Sequence, residues 1–409
     1  MRIGIDLQVL GQREFTGVAR YAYNLAKQLL LLGTNHQFVF FLPEDSKVRQ
    51  EFQGRGAVVI TLPDKKLPFV TAHWQYAHLM QRAKLDVLHG PANTLPLFYR
   101  GRSILTIHDL AIYRHPEWFP GGQWFSTKYL VPRSIKIADK IIVPSEATKR
   151  DLMELFNISS FKISVIPHGV DERFFRNQDV IAGEAKQSYK IATLPSEARD
   201  DKTKEYFLFV GTLEPRKNLV RLIQAYGNLP DDIIEKYDLV IAGAKGWQYA
   251  EIQNAKIKAQ HINSKLKNKI KFIGYVSEDE LPALMQNASL FVYPSLYEGF
   301  GLPVLEAMAA GVPVITSNSS SLPEVAGDAA VLVGPYSIAE MTNAITAIIR
   351  DSARLRQISI AGTVRAAKFN WEDTAQRTLA VYSAQQSAIS DSNVAEMTHK
   401  LGFGPHRQF

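Results

Sequence analysis

Two glutamates on either side of a glycine-rich turn are the side chains of this chain best placed to do chemistry. Glu298 and Glu306 lie eight positions apart, with the turn 299–302 between them. The apolar run 288–293 predicts a buried strand before the turn, and Pro303 suits the first turn of a helix after it. The start of such a helix offers free backbone N–H groups and partial positive charge to an anion.

The two carboxylates indicate a ligand that carries hydroxyl groups. A carboxylate accepts hydrogen bonds from paired hydroxyls, such as those of ribose or a hexose. A phosphate held by the backbone of the turn, with hydroxyls on both carboxylates, describes a nucleotide-sugar. The alternative interpretation is a capped helix that carries two solvated glutamates.

Two adjacent cations follow another predicted strand. That strand ends at Gly211 and a helix is predicted to begin near Asn218, which places Arg216 and Lys217 just before the helix. Arginine binds phosphate oxygens through two parallel hydrogen bonds, and lysine adds a point charge. The pair suits a diphosphate leaving group, whose charge it would stabilise without a protonating acid. An exposed basic pair without a ligand is the alternative.

Further candidates lie in the first half of the chain. His108 follows the predicted strand 103–107, where its ring suits a sugar hydroxyl, although a lone histidine is more often structural. Gly17 permits close approach of a ligand before the first helix, while Arg20 fits a surface or a packing position equally well. His168 follows another strand end and predicts a cleft wall, a hinge or a tight turn.

Strands alternate with helices in two sets. The first set of strands is predicted at 2–7, 37–42, 57–62, 87–89, 103–107, 140–143 and 162–166. The second set is predicted at 206–210, 239–242, 270–273, 290–293, 312–316 and 330–333, with helices at 18–32, 220–227 and 341–350 among others. This alternation predicts two parallel sheets covered by helices on both faces. A cleft is expected between the halves, at the carboxyl ends of the strands.

Length and composition exclude several classes of protein. A chain of 409 residues is too long for one typical core, which predicts two large domains. No run approaches the roughly 20 apolar residues of a membrane span, and the first residues lack the apolar core of a signal peptide. The absence of cysteine excludes disulfides and thiolate metal sites. The cytoplasm is therefore the expected compartment.

The positive charge is concentrated in one part of the first half. The net charge is +7, and residues 63–150 alone hold 13 Lys or Arg against 6 Asp or Glu, an excess of 13 − 6 = 7. Aromatic residues accompany these charges, a combination that suits an anionic membrane surface or a phosphate-bearing acceptor. No nucleic-acid recognition motif is present. A solvated basic face is the alternative; the residues expected to contact a membrane are Trp118, Trp124, Lys128 and Arg133.

Several segments follow one another in a characteristic order. They are Thr16-Gly17-Val18-Ala19-Arg20-Tyr21, Ile107-His108-Asp109, Val143-Pro144-Ser145-Glu146, Pro167-His168-Gly169-Val170-Asp171, Gly211-Thr212-Leu213-Glu214-Pro215-Arg216-Lys217-Asn218, the glutamate pair, and Phe369-Asn370-Trp371. In this order the segments resemble the family 4 glycosyltransferases, over roughly residues 1–385. That family consists of retaining enzymes of the GT-B fold.

The resemblance implies an α/β fold of the GT-B type. Two Rossmann-like doubly wound domains would face each other across a cleft, with a C-terminal helix crossing back to the first domain. The implied divisions are an acceptor-side domain at 1–175, a linker or loop insertion at 176–205, a nucleotide-sugar domain at 206–368, a crossover helix at 369–385 and a tail at 386–409.

The resemblance also implies the site residues. Arg216 and Lys217 would bind the donor diphosphate, Glu306 the ribose hydroxyls, and Glu298 the donor sugar. The implied catalytic residues are Glu298, His108, Arg216 and Lys217. Further donor-binding residues are Gly17, Gly299, Phe300, Gly301, Leu302 and Glu306, and acceptor-side residues are Asp109 and His168.

The activity implied is retaining transfer of a hexose from a nucleotide-diphosphate sugar to a glycan or lipid-linked acceptor in cell-surface polysaccharide or glycolipid synthesis. The segment 16–21 resembles those of mannosyltransferases, which favours GDP-mannose and leaves UDP-hexoses open. No aspartate-rich metal motif is visible, so no cofactor or metal is expected. The expected location is cytoplasmic, with peripheral attachment to the inner membrane face as an option. Whether Glu298 is a nucleophile or the acceptor attacks from the donor's front face is left open.

Three other functions are alternatives to this one. A dinucleotide-dependent oxidoreductase would show G-x-G-x-x-G after the first strand, and the segment 11–17 lacks that spacing. A non-catalytic nucleotide-sugar-binding subunit would not need the intact charged residues described above. A small soluble sugar, in place of a glycan or a lipid-linked molecule, is the main alternative for the acceptor.

Overall fold

The computed structural model of the protein describes residues 1–11, 16–63, 69–122, 125–175 and 205–384, with only the backbone at 69–72. The predicted linker, apart from Glu205, and the predicted tail lie outside these residues, as does Trp124. None of the helices in the described ranges is long and apolar enough to cross a membrane.

The first half folds into one parallel sheet of seven strands in the order β3-β2-β1-β4-β5-β6-β7. Its strands are β1 (Arg2–Asp6), β2 (Gln37–Pro43), β3 (Val58–Leu62), β4 (Val87–Gly90), β5 (Ser103–Thr106), β6 (Lys140–Val143) and β7 (Ile163–Val165). Its helices are α1 (Gly17–Leu31), α2 (Arg49–Gly54), α3 (Phe69–Arg82), α4 (Ala111–Arg114), α5 (Val131–Ile137) and α6 (Glu146–Phe156).

The second half folds into a parallel sheet of six strands in the order β10-β9-β8-β11-β12-β13. Its strands are β8 (Glu205–Val210), β9 (Tyr237–Ala242), β10 (Ile270–Gly274), β11 (Leu290–Tyr293), β12 (Val314–Ser317) and β13 (Val331–Val333). Its helices are α7 (Leu219–Gly227), α8 (Asp231–Lys236), α9 (Tyr249–Ile262), α10 (Leu281–Gln286), α11 (Leu302–Ala309), α12 (Leu322–Ala326), α13 (Ile338–Arg350) and α14 (Ser352–Ala366).

Apolar runs build both sheets because each central strand is covered on two faces by helices. In the first sheet every residue from Phe38 to Leu42 is buried, and in the second every residue of β9 and β11 is buried. Continuous rather than alternating apolar strands are typical of parallel sheets in α/β proteins. The predicted fold class is confirmed.

The strand order changes direction next to the first strand of each sheet. Strand β1 lies between β2 and β4, and β8 lies between β9 and β11. Ligands of open α/β sheets bind at this switch point, outside the carboxyl ends of the strands. The loops that follow β8 and β11 therefore lie side by side, although 80 residues separate them in the chain.

A last helix, α15 (371–384), returns to the first domain. Trp371, Ala375 and Tyr382 of this helix are buried in the same apolar cluster as Ile3 and Ile5 of β1. The hydroxyl of Thr374 donates to the Pro167 carbonyl at 2.8 Å, and Arg377 donates to the Val165 carbonyl at 2.8 Å. The predicted crossing back is thus observed, whereas the exact domain boundaries stay predictions.

Candidate active site

The predicted strand, turn and helix are present at the glutamate pair. Strand β11 ends at Tyr293, and α11 begins at Leu302 with Pro303 in its first turn. Gly301 has a φ of 110°, a backbone conformation that favours glycine. The start of α11 lines the cleft with Gly301, Leu302 and Pro303, which is the place expected for an anion site.

Gly299 allows the two domains to touch. A Cβ atom added at this residue would lie 1.8 Å from the carbonyl oxygen of His108, in the opposite domain. The hydroxyls of Ser145 and Thr148, at the start of α6, donate to the Gly299 carbonyl at 2.7 and 3.1 Å. The turn is therefore held between the end of β5 and the start of α6.

Glu298 is buried at the centre of a charged cluster. Its Oε1 accepts hydrogen bonds from Lys217 Nζ at 2.5 Å and from the Tyr293 hydroxyl at 2.9 Å. Its Oε2 lies 3.3 Å from Arg216 Nη1. Burial alone would raise the pKa of Glu298, but the charges of Lys217 and Arg216 outweigh burial and lower that pKa to about 2. Glu298 is therefore a carboxylate at neutral pH.

Arg216 joins further carboxylates to this cluster. It forms an ion pair with Glu214 and lies 3.8 Å from Asp109 Oδ2 across the cleft. Burial opposes its charge, but Glu298, Asp109 and Glu214 together raise the pKa of Arg216. Burial and the neighbouring Arg216 lower the pKa of Lys217 despite its contact with Glu298. A bound diphosphate would have to share these cations with the three carboxylates.

Glu306 has different surroundings. It lies on α11, is buried, and its Oε1 accepts a hydrogen bond from Arg20 of α1 in the other domain. Within the described part of the chain its Oε2 has no hydrogen-bond partner. Burial raises the pKa of Glu306, and the positive charge of Arg20 only partly offsets that effect.

His108 and His168 lie against each other beneath the cleft. The Nε2–H of His108 donates to the Pro91 carbonyl at 2.7 Å, which leaves its Nδ1 as the acceptor that faces His168 Nε2 at 3.4 Å. Burial lowers the pKa of both histidines, so both rings are neutral at pH 7. His108 can contact a sugar hydroxyl only in competition with His168, and its predicted contact with the donor stays a prediction.

Gly17 is the first residue of α1, which Thr16 caps by accepting the Ala19 N–H at 3.3 Å. A Cβ atom added to Gly17 would meet no atom of the described residues within 4 Å. These residues therefore do not require glycine here. The open space beside Gly17 would allow a ligand to approach the backbone closely, which would be a reason for glycine at this position.

A cavity of about 340 Å³ lies between the domains and gathers most of the predicted residues. It is lined by Gly17, His108, Asp109, His168, Arg216, Lys217, Glu298, Gly299, Phe300, Gly301 and Leu302. Glu306 lines a neighbouring cavity of about 230 Å³, and Arg20, Glu278 and Leu302 line both.

The sequence did not identify three contributors to this site. Tyr293 accepts a hydrogen bond from Lys217, and Glu214 forms an ion pair with Arg216. Arg20 contacts Glu306 from the opposite domain. Glu214 lies two positions before Arg216, a proximity that could have suggested the pair. The contact between Arg20 and Glu306 depends on how the domains pack, so it could not be predicted from a local sequence pattern.

The backbone of one residue expected at a membrane surface lies at the domain interface. The indole N–H of Trp247 donates to the Trp118 carbonyl, and the rings of Trp247 and Phe119 lie 5.7 Å apart. The Trp118 side chain is half-buried and stacks on the His115 ring, so its contact with a membrane stays a prediction. The side chains of Lys128 and Arg133 are exposed, as predicted for a surface contact.

The sequence matches two family models, one in each half. Residues 15–174 match a model described as Glycosyltransferase Family 4, and residues 191–365 match one described as Glycosyl transferases group 1. Together they span most of both domains and every segment that carries the resemblance except Phe369-Asn370-Trp371.

Curated relatives include two O-antigen enzymes. The chain is 29% identical to O-antigen chain mannosyltransferase B of Escherichia coli over 382 residues, which cover 90% of this chain and 96% of the relative. It is 30% identical to O-antigen chain mannosyltransferase RfbU of Salmonella typhimurium over 304 residues, which cover 71% of this chain and 76% of the relative.

Solved structures share the fold. Anabaena Alr3699/HepE in complex with UDP and glucose superposes with a TM-score of 0.72 at 17% identity, covering 94% of this chain and all of that one. Sucrose-phosphate synthase from Thermosynechococcus elongatus superposes with a TM-score of 0.68 at 18% identity, covering 95% and 99%. With the cleft, the charged cluster and the extent of the matches, the chain belongs to glycosyltransferase family 4.

Proposed function

We propose that this enzyme transfers a mannosyl residue, with retention, from GDP-mannose to a glycan or lipid-linked acceptor in cell-surface polysaccharide synthesis. The observation that carries the proposal is the meeting of Arg216, Lys217 and Glu298 with the start of α11 in one interdomain cavity. The similarity to two O-antigen chain mannosyltransferases supports mannose as the sugar. UDP-hexoses are the alternative donors.

The cations and the helix start have the chemistry that a diphosphate requires. When the bond between the anomeric carbon and the diphosphate oxygen breaks, negative charge develops on that oxygen. Arg216, Lys217 and the positive end of α11 would stabilise this charge. Glu298 would then face the sugar. The acceptor oxygen forms the new bond at the anomeric carbon, and the proton of the acceptor hydroxyl ends on the departing diphosphate.

We propose that this stabilisation needs no metal ion. The cationic side chains of Arg216 and Lys217 already lie in the cavity, and both are buried or nearly so. Turnover with GDP-mannose should therefore be the same in excess EDTA as in added Mg²⁺ or Mn²⁺. A loss of turnover with EDTA that Mg²⁺ restores would contradict this part of the proposal.

The experiment that tests the donor is a melting panel followed by a turnover assay. A ligand that binds only the folded state raises the melting temperature. GDP and GDP-mannose should raise it more than UDP, UDP-glucose or ADP do. Purified enzyme with GDP-mannose and a lipid-linked glycan acceptor should release GDP, and no stabilisation by any nucleotide would sink the proposal.

We further propose that the acceptor is reached at a membrane surface, at the cytoplasmic face. The first domain presents Lys128 and Arg133 together with the exposed rings of Phe125 and Tyr129 on consecutive helical turns. Each basic residue near an anionic surface contributes about 1 kcal/mol, and the rings add apolar contact. A soluble sugar acceptor is the competing idea.

Flotation with vesicles separates these two ideas. Wild-type protein should float with anionic vesicles at low salt and stay behind at high salt or with neutral vesicles. The double substitution Lys128→Glu and Arg133→Glu should abolish flotation. Lys236→Glu with Arg350→Glu is the charge-matched control in the second domain, where both side chains are exposed. Failure of the wild type to float at low salt would favour the soluble acceptor.

A further inference from the structure

Arg20 of the first domain reaches across the cleft to two carboxylates of the second domain. It lies on α1, its guanidinium is largely buried, and it donates to Glu306 Oε1 on α11. Its Nε lies 3.3 Å from Glu278 Oε1, in the segment between β10 and α10. One arginine therefore joins two carboxylates of the opposite domain.

Glu306 has little else to stabilise a negative charge. Its side chain is only 5% exposed. Among the described residues, the charged groups that face it are Arg20 from α1, Glu278 from the segment after β10, and Asp171 from the segment after β7. Helix α14 packs against α11 through the uncharged Thr363. Two of the three charged neighbours thus carry the same sign as Glu306 and oppose its ionisation.

Only one oxygen of Glu306 is engaged by this contact. Arg20 binds Oε1, whereas Oε2 is buried and has no hydrogen-bond partner among the described residues. An ionised carboxylate offers its second oxygen as a strong acceptor for a hydroxyl, whereas a protonated one offers a weaker acceptor and a competing O–H donor. The arrangement leaves a free acceptor beside the cleft.

We propose that Arg20 is a positioning residue for the donor nucleotide, because it keeps Glu306 ionised and oriented for the ribose hydroxyls. The inference rests on the proposed function, in which Glu306 binds ribose. It adds that a side chain of the acceptor-side domain controls the affinity for the nucleotide. Arg20 itself acts through Glu306 and need not touch the ligand.

The direction in which nucleotide binding changes when Arg20 is removed distinguishes two roles for this residue. If Arg20 competed with ribose for Glu306, its removal would strengthen nucleotide binding. If Arg20 supports Glu306, its removal weakens binding. The weakening should also grow as the pH falls, because Glu306 without Arg20 takes up a proton at a higher pH.

The test is calorimetric titration of the full-length protein with GDP, or with UDP if the melting panel selects it, between pH 5.5 and 8.5. The variants are R20M, R20K, E306Q and the double variant R20M/E306Q. R20Q serves as a second neutral replacement should R20M not fold, and melting curves check each protein. R350M is the matched control, since Arg350 forms an exposed ion pair with Asp232 at 3.0 Å on the far side of the second domain.

R20M should bind GDP at least about tenfold more weakly at pH 7, as expected for loss of a charge-assisted contact. Its affinity should fall at a higher pH than that of the wild type, and R20K should restore the wild-type pH profile. The double variant should match E306Q and lack the pH step, because both changes act through one carboxylate. R350M should behave like the wild type.

Two results separate the failure of this inference from the failure of the proposed function. Weaker binding by E306Q with unchanged or tighter binding by R20M would overturn the role of Arg20 and leave the donor site standing. Unchanged GDP binding by E306Q would instead remove Glu306 from the ribose site. A pH step that persists in the double variant would show that another group titrates, and would also overturn the inference.

Discussion

Glu298 and Glu306 carry the same side chain in opposite electrostatic surroundings. Glu298 meets Lys217 and Arg216 of its own domain, and its pKa is lowered to about 2. Glu306 meets two like charges and Arg20, and its pKa is raised. The sequence predicted that the pair would have two roles. Their partners could not be predicted from spacing, because Lys217 lies 81 positions before Glu298, in the segment after β8, and Arg20 lies in the other domain.

The cation pair can be tested by direct binding. Replacing Arg216 and Lys217 with alanine should weaken GDP binding by at least about tenfold, since charge-assisted contacts are worth roughly 1.5–3 kcal/mol each. The double variant should also melt at a lower temperature, because Glu298 would then be buried without a counter-charge. Calorimetry and melting curves measure both effects. Lys265→Ala, at an exposed ion pair, is the control, and an unchanged Kd would rule out the diphosphate role.

Glu298 also predicts how stability depends on acid. Its folded pKa of about 2 lies below the ordinary value of 4.5, so its stabilising effect is present above pH 4.5 and is lost as the pH falls towards 2. The loss should be on the order of 3 kcal/mol for a shift of this size. Urea unfolding at pH 7, 4 and 3 should therefore show a shallower decline for Glu298→Gln than for the wild type. Equal slopes would contradict the assigned charge state, and the exposed Glu372→Gln serves as control.

At the scale of elements, the local sequence predicted the turn before α11 but not the contact that this turn makes with the other domain. The apolar run, the glycines and Pro303 predicted the strand, the turn and the helix, because each depends on its own backbone preferences. The need for glycine at 299 comes from the His108 carbonyl of the other domain. That contact depends on how the end of β5 packs against the turn, so it could not be predicted from the local sequence.

Two glycine substitutions should therefore act in different ways. Gly299→Ala would place a Cβ atom 1.8 Å from the His108 oxygen, so we expect a lower melting temperature and a loss of turnover of at least tenfold. In Gly17→Ala the added Cβ atom meets no atom of the described part of the chain within 4 Å, so the melting temperature should hold or rise. If the donor approaches Gly17, the same variant should bind GDP-mannose more weakly. Equal effects of both substitutions on melting would refute the interdomain contact.

At the scale of the whole molecule, two sheets with the same kind of switch point create one cleft. Alternation of strands and helices was enough to predict the sheets, because continuous apolar runs and glycine turns are local signals. The order of the strands was not predicted. It depends on which strands pair, and pairing of β8 with β11 is what brings Lys217 to Glu298.

The returning helix should be necessary for the first domain. Trp371 is buried in the core of that domain, and replacing such a side chain with alanine costs about 3–5 kcal/mol. Trp371→Ala should therefore melt at a markedly lower temperature, with faster hydrogen exchange in β1 and α1. Glu372→Ala, one residue further along the same helix and exposed, should change neither. Faster exchange confined to the second domain would contradict this packing.

The chain crosses between the domains twice, and the residues near one crossing, 169–170, contact those near the other, 369–371. The Val170 N–H donates to the Phe369 carbonyl at 3.0 Å, and Gly169 packs directly on Trp371. Because these crossings are adjacent, a rotation of one domain relative to the other would turn about this point. Gly169, Trp371, Arg20 and Glu306 line one small cavity, so the arginine–glutamate pair lies close to that point. A rotation that opens the far end of the cleft widely would shift this pair least, and the enzyme could exchange acceptors while the ribose side stays assembled.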